Sequence, residues 1–93
     1  MAGIKRTIQV LDEDLQEIAG GSKIKGSEVM GATLAYLEEE DLFAHNKNHF
    51  HPDATIKACF KEIGVPVKKV MQRGTLLKLF GKDARDAGLV DFE

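Results

Sequence analysis

The chain of 93 residues has no tryptophan, one tyrosine, two prolines and one cysteine. A lone Cys59 excludes an intramolecular disulfide framework and fits a reducing, intracellular compartment. No stretch approaches the roughly 18 consecutive apolar residues that a membrane span needs. The first ten residues carry Lys5 and Arg6 without a following apolar run of signal-peptide length. A soluble intracellular protein with no membrane contact is the expectation. The length leaves no room for a second domain, because chains divide only when much longer. A core of this size also has little space for a deep active-site cavity.

What the chain has is a divided charge. The formal net charge is −2, yet residues 1–45 hold four Lys/Arg against nine Asp/Glu, and residues 46–93 hold nine against six. Over 57–82 the imbalance sharpens: Lys57, Lys61, Lys68, Lys69, Arg73, Lys78 and Lys82 face only Glu62. Such a stretch attracts phosphate or an acidic partner, unless it is the solvated side of amphipathic helices.

Local patterns predict helices with a few short strands. Residues 7–10 alternate as a strand does. Asp12 then caps a helix whose apolar pattern is Leu11, Leu15 and Ile18 and that Gly20 and Gly21 stop, and Ile24 between two lysines reads as a short edge strand. Ser27 is the expected cap of the longest helix, running to about Asp41 with Val29, Met30, Thr33, Leu34 and Leu37 as its apolar face. Gly31 costs that helix about 1 kcal/mol relative to alanine, so a packing or access reason for it is expected. The acidic run 38–41 is either a solvated end or a rim for a basic partner. Phe50 points inward from a short strand between His49 and His51. Asp53 caps a helix whose buried stripe is Ile56, Cys59, Phe60 and Ile63, closed by Gly64. Residues 68–80 suit a last helical region, with Val70, Met71, Leu76, Leu77 and Phe80 apolar and a break at Gly74 and Thr75. Residues 82–93 are a loose tail or a flap that packs back on a core at about 7–80.

Catalytic chemistry finds little support. His45, His49 and His51 with Asp53 and Cys59 match no strong zinc spacing, and helical spacing buries Cys59 rather than exposing a reactive thiolate. The chain has no phosphate-binding glycine loop. No enzyme activity, metal or cofactor is expected. The apolar residues instead exceed what a small core requires, and a subset of them could line a groove for an amphipathic helix.

Glu28-Val29, Leu34, Tyr36-Leu37, Leu42, the run Phe50-His51-Pro52-Asp53, Ile56 and Phe60 stand in a register that resembles the SWIB domain. That family is related to the peptide-binding domain of the double-minute ubiquitin ligases, and the likeness covers about 11–80. Leu34 stands where tryptophan is usual, Ala44 where aspartate is common, and the last helix lacks the usual Leu-x-x-His ending. The resemblance implies a small, mainly helical α+β fold with short strands around a hydrophobic cleft, and a non-enzymatic role in chromatin or DNA-associated complexes. It places the protein in the nucleus of a eukaryote, or in the cytoplasm or nucleoid of a bacterium. By position the cleft falls on Met30, Leu34, Leu37 and Phe43, with Val70, Arg73, Leu76 and Leu77 from the second half. A helical peptide or complex subunit is the expected partner, and Leu37→Glu is expected to abolish its capture without unfolding the domain. The alternative is direct nucleic-acid binding through Lys57, Lys61, Lys68, Lys69, Arg73 and Lys78.

Overall fold

Cap residues and glycines set the limits of two helices in the computed structural model, which describes residues 7–92. Lys5, Arg6 and Glu93, counted above in the charge balance, lie outside the described residues. In the first helix, α1 (Glu13–Ala19), Asp12 Oδ1 accepts the Asp14 N–H at 3.0 Å, and Gly20 at φ +85° ends the last turn. In another, named α3 below (Ala54–Ile63), Asp53 Oδ1 accepts the Ile56 N–H at 2.9 Å and Gly64 at φ +74° closes it. Both glycines hold the left-handed conformation that side chains resist.

Strand β1 (Thr7–Val10) precedes α1 and buries Ile8 and Val10 alternately. It pairs antiparallel with β2 (Lys23–Lys25), Ile8 standing opposite Ile24. On its other side lies a strand from the far end of the chain, β5 (Val90–Phe92), which sets Val90 opposite Val10 and Phe92 opposite Ile8. The order β2-β1-β5 leaves β2 at an edge.

The longest helix starts later than its sequence foretells. Residues Gly26–Glu28 form a 3-10 turn, with Glu28 Oε1 accepting the Lys25 N–H at 3.2 Å, and α2 occupies Val29–Glu39. Ser27 is therefore not its cap. Val29, Thr33 and Leu37 are its buried stripe. The helix ends before Asp41, which takes φ +55°, a conformation that aspartate tolerates better than most residues.

The region 68–80 is the largest departure. Instead of one helical region it contains β4 (Met71–Gln72), paired antiparallel with β3 (His49–Phe50) so that Met71 faces Phe50, followed by a 3-10 segment over Arg73–Phe80. The Arg73 N–H donates to the Asn48 carbonyl at 2.8 Å, which extends this long-range strand pairing in place of a helix. Three residues per turn bury Leu76 and Leu79 together, so Leu79, absent from the expected apolar face, belongs to the core, and Leu77 turns outward.

Residues beyond 80 are not a loose tail. A short helix, α4 (Lys82–Asp86), buries Ala84, and the Leu89 carbonyl accepts the Leu11 and Asp12 N–H groups at 2.8 and 3.2 Å. The flap of the sequence reading is thus an integral third strand, and the core extends past position 80 to Leu89 and Val90. α1 packs on α2 and α3, and the 3-10 segment packs on α2, α3 and α4 around this core. Among the described residues, no helix is long and apolar enough to cross a membrane.

Candidate functional site

The eight residues expected to line one cleft do not gather in one place. Leu37 and Leu76 are fully buried and belong to the core. Neither offers a surface to a partner, and Leu37→Glu would place a carboxylate where no water reaches, so the expectation that it spares the fold is withdrawn. Phe43 is half-buried, bridged to Phe50 and packed against the core. Leu34 is half-buried beside the buried stripe of α2, one turn before Leu37, and does not border the groove at Met30. Val70 borders a hollow of about 570 Å³ with Val65, Pro66, Met71, Thr75 and His49. Arg73 borders a smaller one beside Asn48, and its guanidinium donates to the Lys47 carbonyl at 3.3 Å.

Met30 and Leu77 do share a groove. It has a volume of about 320 Å³ and is bordered by Gly26, Val29 and Met30 from the start of α2, Leu77 and Phe80 from the 3-10 segment, and Ile8 and Phe92 from β1 and β5. Ile8, Val29 and Phe80 are buried and form its floor, whereas Met30 is 50% and Leu77 38% exposed. Ile8, Phe80 and Phe92 were not legible as groove residues, because β5 reaches this site only through long-range strand pairing. The Arg85 guanidinium lies over the Phe92 ring, 5.5 Å from its centroid, and adds a charged rim.

The basic residues separate in a similar way. Lys57, Lys68 and Lys69, with His51, Pro52 and Val67, border a hollow of about 400 Å³. His51 donates from Nδ1 to the Lys69 carbonyl at 3.2 Å, since a carbonyl can only accept, and this leaves Nε2 outside that bond. Lys61 lies one turn after Lys57 on the same face of α3. Arg73 and Lys78 are not among the residues bordering this hollow.

An acidic hollow of about 360 Å³ lies on the other side of Asp53, bordered by Glu17, Glu39, Glu40, Asp53, Tyr36 and Thr55. Here the Tyr36 hydroxyl donates to Asp53 Oδ2 at 2.6 Å while Oδ1 of the same carboxylate caps α3. Burial, followed by the Asp53 carboxylate, raises the pKa of the tyrosine. The pairing was missed in the sequence, although a single tyrosine on a half-apolar helix face needs a polar partner for its hydroxyl.

Cys59 is buried, and burial, with the Asp12, Asp14, Asp53 and Glu62 charges adding to it, pushes its thiol up to about 12. It is a core residue without nucleophilic character at neutral pH. His45 and His49 stack with ring centroids 4.9 Å apart, and His49 Nδ1 contacts Asn46 Oδ1 at 2.9 Å. Among the described residues no three His, Cys, Asp or Glu side chains converge as metal ligands.

Compared with protein-family models, with curated proteins and with solved structures, the chain matches none. The SWIB resemblance stands on its own residues.

Proposed function

We propose that the chain is a non-enzymatic protein-interaction module of the SWIB type, acting inside the cell in chromatin or other DNA-associated complexes, and that it holds an amphipathic helical segment of a partner protein in the groove between Met30 and Leu77. The observation that carries this reading is the pair of large apolar side chains, from two different elements, standing half-exposed at the border of a groove whose other lining residues include the buried Ile8, Val29 and Phe80. An amphipathic helix suits the shape, because residues three and four apart present two or three apolar anchors to a short cleft while its other face stays in water. Lys25, Glu28, Lys78 and Arg85 stand on the elements around the groove and supply both signs of charge for a polar rim.

The experiment is selection of displayed amphipathic helices on the full chain, followed by chemical-shift mapping and titration. Peptides that shift Met30 and Leu77, and that lose affinity by about 100-fold in the double variant Met30→Glu, Leu77→Glu, are the expected result, since a central anchor is worth at least about 2 kcal/mol. Both positions are exposed enough that the variant should melt as the parent does. Selected peptides whose shifts fall elsewhere and whose affinity ignores the double variant would overturn the groove.

A further inference from the structure

We infer that the hollow bordered by His51, Lys57, Lys68 and Lys69 is a seat for backbone phosphates of duplex nucleic acid, bound without sequence preference. Three lysines from two separate segments converge there, Lys57 from α3 and Lys68 and Lys69 from the stretch leading into β4. Among the described residues none of the three pairs with a carboxylate. The acid nearest in sequence, Asp53, is held in the opposite hollow by the Tyr36 hydroxyl and the Ile56 N–H. Folding has therefore gathered like charges on one side of α3 and left them uncompensated, a repulsion that an arriving polyanion relieves.

Three features favour a nucleic-acid backbone over other anionic surfaces. Lys61 extends the cluster along α3 by one turn, so the charge forms a short track rather than a point. No Phe, Tyr or Trp borders the hollow for stacking unpaired bases, which favours phosphates over base edges and a duplex over a single strand. Among the described residues Val67 is the one exposed apolar side chain there, too little for an anchor in a lipid surface. The acidic hollow with Glu39 and Glu40 across Asp53 opposes binding from that side and orients the molecule on a polyanion. None of these lysines borders the Met30 and Leu77 groove, so this inference stands or falls apart from it.

The test is fluorescence anisotropy of a short labelled duplex titrated with the full chain at several salt concentrations, beside sedimentation with vesicles of phosphatidylcholine containing phosphatidylserine. Neutralising three to four phosphates gives a slope of log affinity on log salt of about −3, or a fall of about 60-fold between about 50 and about 200 mM. The triple variant Lys57→Gln, Lys68→Gln, Lys69→Gln should lose at least about 30-fold at the lower salt and most of that slope. A Lys78→Gln, Lys82→Gln control should stay within about twofold. These positions are exposed, so an unchanged thermal melt checks that folding is intact. Absence of duplex binding at the lower salt, equal losses in the control, or sedimentation with vesicles in place of duplex binding would each overturn the inference.

Discussion

Along α2, Val29, Thr33 and Leu37 recur every fourth residue and are buried, whereas Met30 is half-exposed and Gly31 is open to solvent one position further round. Residue type does not explain the split. A threonine lies inside, its Oγ1 donating to the Met30 carbonyl at 2.9 Å, while a methionine stands outside. The buried edge is decided by what reaches it from elsewhere in the chain: α1 and the 3-10 segment both pack on α2. On the exposed edge Met30 borders the groove. The two edges therefore answer different questions, the first about stability and the second about binding, and substitutions on each should separate them.

The largest effect is expected from Leu37→Glu. The site is fully buried and has no polar partner to offer, so the variant loses the leucine packing and must either bury or protonate a carboxylate. A loss of about 4 kcal/mol or more takes most of the stability of a small domain. The expected outcome is a far-ultraviolet dichroism melt without a cooperative transition. A cooperative melt within about 1 kcal/mol of the parent would mean that this edge is not core.

On the flank of the buried stripe away from Met30 lies Tyr36, half-buried and tied to α3 through Asp53. Tyr36→Phe keeps the ring and removes the hydroxyl donor, leaving Asp53 its contact with Ile56. A hydrogen bond to a charged group contributes about 1.5–3 kcal/mol, and partial exposure to water lowers that, so a loss of about 1–2 kcal/mol is expected in urea denaturation. An unchanged midpoint would show that water replaces the carboxylate at no cost, and would demote the link between α2 and α3 to a surface contact.

The helices were legible where the signal is local. Asp12 and Asp53 are caps by residue type, Gly20 and Gly64 are stops, and Ile56, Cys59 and Phe60 repeat at helical spacing. The second half of the fold was not legible because its determinants are remote. Met71 is a strand residue only because Phe50 lies beside it, and Leu79 is core only because a three-residue period replaces one of 3.6. The same substitution of period buries Leu76 beside Leu79 and turns Leu77 outward, into the groove. Of that cleft, Met30 and Leu77 meet across a groove, while Leu37 and Leu76 are core. The lysine cluster was legible as composition, but the convergence of Lys57 with Lys68 and Lys69, and the separation of Arg73 and Lys78 from them, depend on the irregular stretch that follows Gly64 and on the pairing at β4.

The smallest expected effect is the sharpest on the exposed edge. A Cβ built at Gly31 would meet nothing within 4 Å, so neither close packing nor a strained turn requires glycine there. The packing reason that the sequence led one to expect is absent. Gly31→Ala should therefore raise stability by about 0.5–1 kcal/mol, through better helix propensity and a less flexible unfolded chain. Access remains the one ground for glycine: Gly31 does not itself border the groove, and a methyl group there meets a bound helix only if that helix extends past Met30. Paired measurements on the one variant separate the two: a higher urea midpoint with weakened peptide affinity makes Gly31 part of the binding edge, and a higher midpoint with unchanged affinity confines that edge to Met30 and Leu77.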